Sequence, residues 1–244
     1  METNIQSSTE YRIANVLSCS YNKLIPRVEN AGQIVSLDDK QIQIMHNGLK
    51  IFKGSYYGDE LITPMLEKNR GVHEPEEEWH FMQALKSVPE NGTMIELGSY
   101  WAFYSMWFAK EIKNGKTYMI EKVKSRLKSG KRNFLLNGLV GEFAIGNIGS
   151  QKINFKVDKF VKSKKIETIH ILHADIQKKE LVMLNGANES LKKGIIKQIF
   201  VSTHSQKLHY NCLKKLKKHN YDIVYQKDKK ETKCHDGIIV AKLG

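Results

Sequence analysis

Long apolar runs, cysteine and proline are all scarce in this chain, and each scarcity excludes something. No stretch approaches the roughly 18 to 20 apolar residues that a membrane span requires, and residues 1–8 are polar where a signal peptide would be apolar. A cytoplasmic protein without membrane contact is therefore expected. The three cysteines, Cys19, Cys212 and Cys234, form no CxxC pair. Their odd number disfavours a disulfide framework, and their spacing disfavours a structural zinc site. Four prolines in 244 residues argue against a linker-rich chain. Internal repeats and low-complexity tracts are also missing.

What is present in excess is positive charge, +13 overall, and it is unevenly spread. Residues 1–120 carry a net −3 and residues 121–244 a net +16. The excess is mostly lysine, as in Lys162/Lys164/Lys165, Lys214/Lys215/Lys217/Lys218 and Lys227/Lys229/Lys230. Few arginines or aromatics are interleaved, so the bidentate and stacking contacts of specific nucleic-acid recognition are in short supply. The clusters read as solvated surface, and a nucleic-acid partner is not expected. With 41% hydrophobic and 27% charged residues, the chain has the balance of a globular protein large enough for one full core.

Residues 1–33 show no clear period and suggest a short helix with a mobile start. Gln41-Ile42-Gln43-Ile44 alternates strictly, and Asn47-Gly48 precedes Leu49-Lys50-Ile51-Phe52-Lys53, which predicts a β-hairpin with an Asn-Gly turn. Residues 54–58 read as a loop, and an acid-rich helix is predicted over about 76–86. From there strands and helices alternate. Strands are predicted at 93–97, 116–120, 141–145, 168–174, 198–202, 221–225 and 237–241. Helices are predicted at 102–112, 123–137, 179–191 and 206–219, with a basic region running to 165. Such alternation implies right-handed βαβ units and a mostly parallel sheet, closed by two successive C-terminal strands. The division expected is an N-terminal extension, 1–70, and an α/β domain, 71–244.

In open α/β sheets the ligand lies beyond the carboxyl ends of the strands, beside the first of them. Here that is Glu96-Leu97-Gly98-Ser99-Tyr100. A dinucleotide site wants G-x-G-x-x-G, so that backbone can approach a pyrophosphate closely. Gly98-Ser99-Tyr100-Trp101-Ala102-Phe103 has one glycine and two bulky aromatics instead. The pattern suits a nucleoside ligand without phosphates. Glu96 is placed to receive an amino group, and Glu121, ending the second strand, to accept both ribose hydroxyls.

These residues resemble a known family. Met94 to Ser105, with an acid-x-Gly turn followed by Phe103-Tyr104-Ser105, is similar to the first motif of the FkbM-type methyltransferases. Val157-Asp158-Lys159-Phe160-Val161 and Leu172-His173-Ala174-Asp175-Ile176-Gln177-Lys178-Lys179-Glu180 are similar to the second block, a strand ending in Asp-x-Glu/Gln-Gly-x-Glu. Gly186-Ala187 and Val201-Ser202-Thr203-His204 continue it, while residues 45–50 and 71–78 look like segments that precede the core. Lys178 stands where the family usually has glycine, and Gln177 where it usually has glutamate. The resemblance implies a Rossmann-like class I sheet with an antiparallel C-terminal strand, S-adenosylmethionine as cofactor, and O-methylation of a sugar, glycan or other small-molecule hydroxyl. The cofactor set is then Glu96, Gly98, Ser99, Tyr100, Glu121 and Asn147.

A hydroxyl nucleophile needs its proton removed, so carboxylates and histidines at strand ends are the catalytic candidates. Asp175 ends a strongly apolar strand, unless it serves only as a helix cap. His204 ends the next strand, and an ordinary imidazole suits a general base. Glu180 starts a helix, where the dipole alone would favour it. His173 reads as a core residue. His73, Glu74, His209 and Asp236 are expected around the acceptor mouth. A divalent cation such as Mg on Asp175, Glu180 and Asp236 is compatible with these residues but not demanded by them. The competing readings are an RNA methyltransferase using the basic half, and a non-catalytic Rossmann-like binding protein.

Overall fold

A computed structural model describes residues 2–58, 62–149, 155–232 and 236–244. Cys234 and residues 150–154 of the basic region lie outside the described residues. The centre is a seven-stranded sheet. Its strands are β4 (Thr93–Leu97), β5 (Lys116–Glu121), β6 (Glu142–Ile145), β7 (Ile169–Ala174), β8 (Ile196–Thr203), β9 (Tyr221–Lys227) and β10 (Gly237–Leu243). The spatial order is β6-β5-β4-β7-β8-β10-β9. All neighbours are parallel except β10, which runs antiparallel to both β8 and β9. The expected antiparallel final strand is therefore present, but wedged between two others rather than added at the edge.

Both faces of the sheet are covered. Met94, Met119, Ile171 and Phe200 point into one apolar cluster, and Ile95, Ile120, Leu172 and Ile199 into the other. That strict alternation over fully buried strands is why they read as continuous apolar runs. Helices α4 (Phe103–Glu111), α5 (Lys124–Leu136) and α9 (Gln206–Lys218) fall within two residues of the expected spans. Two departures have local causes. The helix expected over 179–191 is broken at Ala187 into α7 (Glu180–Gly186) and α8 (Asn188–Lys192). The stretch read only as basic contains α6 (Val157–Lys164), whose Val157 and Val161 meet the core one turn apart.

The N-terminal region forms α1 (Glu2–Ser18), a three-stranded sheet of β1 (Ile34–Leu37), β2 (Lys40–Ile44) and β3 (Lys50–Phe52), and α2 (Ile62–Lys68). The hairpin β2–β3 exists, but its connection spans residues 45–49 rather than a two-residue turn. The tight turn lies one strand earlier, at Asp38-Asp39, both with positive φ, as a two-residue hairpin needs. This sheet is stitched to the main domain by Asn133, which accepts from Phe52 N–H at 3.2 Å and donates to the Trp101 carbonyl at 3.1 Å. Its Met45, Leu49 and Ile51 share one apolar cluster with Phe81, Met94 and Phe103 of the main sheet layer. Among the described residues no helix is long and apolar enough to cross a membrane.

The acid-rich helix is α3 (Pro75–Leu85), and its three consecutive glutamates turn inward. Glu76 meets Lys227 and Thr232, both at 2.6 Å. Glu77 meets His173 at 2.8 Å and Ser202 at 3.3 Å. Glu78 lies 2.6 Å from His73 and 3.0 Å from His46, and also accepts the backbone N–H groups of His73 and Glu74. A buried charge persists only when paired, and each of these is.

Candidate functional site

The loop after β4 is shaped by contact with the loop after β7. Gly98 has φ +79°, and a Cβ there would sit 1.8 Å from the Asp175 carbonyl oxygen. Glycine is thus required both for the backbone angle and for the approach. Asp175 N–H donates to the Leu97 carbonyl at 3.0 Å, and Gly98 N–H to the Ile120 carbonyl at 2.8 Å. Three strand ends are locked together by these bonds. Tyr100 and Ala102 also hold positive φ, a concentration of strained backbone of the kind found at binding sites.

Above these ends opens a cleft of about 100 Å³. Gly98, Tyr100, Glu121, Asn147 and Asp175 are on its wall. Glu121 is only 3% exposed. Its carboxylate is fixed by Val123 N–H at 2.8 Å and Tyr100 N–H at 3.3 Å. The Arg126 guanidinium lies 4.6 Å over the Tyr100 ring, and the Tyr100 hydroxyl accepts from Tyr57 N–H at 3.0 Å. Gln177 and Lys179 of the second motif block also line the cleft, as do Tyr57, Lys122, Arg126 and Ile148, which carry no local sequence motif that would have singled them out. Trp101 parts company with Tyr100, stacking on Tyr56 and Phe103 away from that wall.

Other expected residues lie elsewhere. Glu96 faces the α4 side beneath the cleft floor, where it accepts Ser105 N–H at 3.2 Å and lies 4.0 Å from His173. Burial raises its pKa, against the opposing pull of His173 and Ser105. Ser99 is buried and does not line the cleft. His209, on the buried face of α9, does not line the cleft as the acceptor set expects: one ring nitrogen pairs with Thr203 and the other with Gln226, both at 2.8 Å. His73 is likewise committed to Glu78 inside an aromatic cage of Tyr56, Trp101 and Phe103. Burial opposes its charge, but Glu78 and Glu74 prevail and its pKa is raised.

Glu74 sits behind Tyr57, receiving the Tyr56 hydroxyl at 3.4 Å and the Tyr104 hydroxyl at 3.2 Å, with Arg12 at 3.6 Å. Burial pushes its carboxyl up to about 7, despite the pull of His73 and Arg12. Arg12 comes from α1 and spans the Tyr56 and Tyr57 rings, so the first helix reaches the cleft wall.

Asp175, Glu180, His204 and Asp236 are brought together. His204 Nδ1 lies 2.7 Å from Glu180, and its Nε2 lies 3.3 Å from Asp175 and 3.5 Å from Asp236. Burial lowers the imidazole pKa, yet Asp175, Glu180 and Asp236 raise it to about 10. Among these groups alone His204 is an imidazolium at neutral pH, not the free base that an ordinary histidine would offer. Asp175 is the exposed member, with about a third of its side chain accessible.

Solved structures give this arrangement a context. An O-methyltransferase from Bacillus cereus in complex with S-adenosylhomocysteine is 12% identical, over 71% of this chain and 82% of that one, with a TM-score of 0.51. A precorrin-6y C5,15-methyltransferase from Geobacter metallireducens GS-15 is also 12% identical, over 71% and 90%, at 0.50. The chain shares a Rossmann-like α/β fold with these structures. A candidate rRNA methylase from Clostridium thermocellum matches over 71% and 98%, at 10% identity and 0.52. At these identities the likeness is one of fold. No protein-family model and no curated protein sequence matches the chain, so the FkbM-type resemblance rests on the motifs alone.

Proposed function

We propose that this protein is an S-adenosylmethionine-dependent O-methyltransferase of FkbM type, acting on a hydroxyl of a sugar, glycan or other small molecule. The observation that carries the reading is that Glu121 and Asp175 open onto one cleft, across a glycine turn that leaves no room for a side chain. The cleft fits the cofactor in kind. A fixed carboxylate suits a ribose diol, Ile120 and Ile148 offer an apolar wall for a base, and no glycine-rich cradle for pyrophosphate is present on this loop. When bound, the sulfonium supplies an electrophilic methyl, so the acceptor oxygen forms a C–O bond as the C–S bond breaks and its electron pair returns to sulfur.

The protein's own contribution is positioning and proton removal. Glu121 anchors the nucleoside end, with Gly98, Tyr100 and Asn147 beside it. Asp175, at the exposed edge of its cluster, takes the hydroxyl proton, with His204 Nε2 beside it at 3.3 Å and Glu180 orienting that imidazole at 2.7 Å. Tyr57, with Glu74 and Arg12 behind it, forms the acceptor side. A small acceptor is favoured over RNA by the lysine-dominated composition of the basic half.

The test is a thermal shift with S-adenosylhomocysteine against NAD. At a hundredfold excess over Kd a ligand stabilises by about 2.7 kcal/mol, worth roughly 5 to 10 °C for a chain of this size. A folded sample that does not respond to S-adenosylhomocysteine refutes the cofactor assignment. Asp175→Ala is expected to abolish transfer while leaving that shift intact.

A further inference from the structure

Taking the cleft as a methyl-transfer site, we infer that Asp175, which lines it, forms a divalent-cation site beside it with His204 and Asp236, with Glu180 as the positioning residue that orients His204. The sheet order makes the site. β7, β8 and β10 are adjacent, and β10 alone runs backwards. The residues just after β7 and β8 and just before β10 therefore meet at one edge, and these include Asp175, His204 and Asp236.

The spacing fits a common centre. Donor atoms about 2.1 Å from a metal lie about 3.0 Å apart at right angles and about 3.4 Å apart at a tetrahedral angle. The distances from His204 Nε2 to Asp175 and Asp236 are 3.3 and 3.5 Å, and one ligand atom from each of the three lies within 4.8 Å of the others. Asp175 Oδ1 also receives Gln177 Nε2 at 3.4 Å, and Lys229 Nζ lies 3.7 Å from Asp236 Oδ1.

A second observation points to a ligand. His204 is 8% exposed, and its Nε2 is aimed between two carboxylates with hydrogen-bond geometry to neither. Asp236 Oδ1 and Glu180 Oε2 are also buried without a hydrogen-bond partner. Buried polar atoms are nearly always satisfied, and an unsatisfied imidazole nitrogen between two carboxylates is what a cation would resolve.

The outer shell is built as well. Glu180 Oε1 holds His204 Nδ1 at 2.7 Å and receives Lys178 N–H at 3.1 Å, the carboxylate–histidine relation that fixes a ligating tautomer. A mixed set of one imidazole and two carboxylates favours Mn²⁺, Fe²⁺ or Zn²⁺ over Mg²⁺. Three protein ligands leave coordination positions free, and Asp175 is shared with the cleft wall. An acceptor hydroxyl bound there is acidified; its O–H bond breaks, with the proton passing to the Asp175 oxygen turned away from His204, as the C–O bond to the methyl forms and the C–S bond breaks.

The test uses the full chain, stripped of metal and titrated with Mn²⁺, with free Mn²⁺ read by electron paramagnetic resonance and folding by circular dichroism. One Mn²⁺ per chain is expected, and Mg²⁺ should compete poorly. Asp236→Asn and His204→Ala are expected to weaken uptake at least tenfold, and Glu180→Gln by about 10- to 100-fold. Absence of stoichiometric uptake by the folded wild type at Mn²⁺ on the order of 1 mM overturns the inference. So does uptake that Asp236→Asn leaves unchanged. S-adenosylhomocysteine binding is measured on the same samples. Cofactor binding without Mn²⁺ uptake refutes the cation site alone, whereas Mn²⁺ uptake without cofactor binding refutes the methyl-transfer reading and leaves the cation site standing.

Discussion

Gly98→Ala is the sharpest perturbation of the cleft, because its consequence follows from two numbers. The residue holds φ +79°, and the added methyl would lie 1.8 Å from the Asp175 carbonyl oxygen and 3.2 Å from Ile176 Cγ2. The left-handed angle costs an alanine about 1 kcal/mol. The overlap cannot be relieved by a rotamer change, since its partner is backbone. Loops β4–α4 and β7–α7 would have to separate by about 1.5 Å to restore ordinary contact, and overpacking of that order costs about 1 to 3 kcal/mol. Separation also stretches the Asp175 N–H to Leu97 carbonyl bond of 3.0 Å, worth about 1 kcal/mol. A total loss of about 3 to 5 kcal/mol is expected, a large share of the 5 to 15 kcal/mol usual for a domain.

Gly138→Ala is the control. It holds φ +63° with nothing within 4 Å of the added carbon, so it bears the backbone cost alone, about 1 kcal/mol. Urea denaturation of both variants, with S-adenosylhomocysteine affinity measured alongside, separates the two contributions. Gly98→Ala should lose at least twice the stability of Gly138→Ala and most of its cofactor affinity. Equal losses in the two variants would refute the argument that close packing of these strand ends builds the site.

Three further outcomes are expected. Glu78→Gln should lose about 3 to 5 kcal/mol, as breaking a buried ion pair does; Glu78 faces His46 and His73 directly and Arg27 at longer range. Burial opposes the Glu78 charge but His73 and His46 depress its pKa, so its contribution is present above about pH 4.3 and vanishes as pH falls through the folded value. His73 is raised, so its contribution is full below about pH 6.5 and vanishes as pH rises through its folded value. The gap between wild type and variant should therefore peak between those limits, and a pH-independent gap in urea midpoints would contradict the pairing. Lys178→Gly should raise stability by about 0.5 to 1 kcal/mol, since Lys178 holds φ +72° next to Gln177 at +52°; an unchanged or lower denaturation midpoint would count against it. His209→Ala should lower stability by about 1 to 3 kcal/mol yet leave S-adenosylhomocysteine affinity unchanged, and a large loss of affinity would return His209 to the cleft.

The α/β rhythm was readable because each strand from β4 to β8 carries its own apolar run and ends in a turn, information contained within a few residues. The acidic helix shows the opposite case. Glu76-Glu77-Glu78 shows in sequence only as the start of an acid-rich helix, yet all three are buried. Their partners Lys227 and His173 lie 151 and 96 residues away, and nothing local announces a pairing made only when the sheet closes. Lys178 joins the two cases. The glycine usual at this place in the FkbM-type motif that the segment resembles would suit a left-handed position, so the departure is legible in sequence and explained only by its φ.

Glu96 and Glu121 show why strand-end logic finds a site but not every role in it. Both close apolar strands, and both turn toward the same face of the sheet, so side-chain alternation does not separate them. Register does. Leu97 pairs with Ile120 and Glu96 with Met119, which sets Glu121 one step beyond the last pair, level with Gly98. Glu121 therefore stands at the rim, with its carboxylate on the cleft wall and backbone N–H groups beneath it. Glu96 lies two steps lower, level with a core methionine, where its accessible partners are the α4 amide of Ser105 and His173. A difference of two residues in height, about 6.6 Å along a parallel strand, separates a ligand-facing carboxylate from a buried one that braces the helix behind the loop.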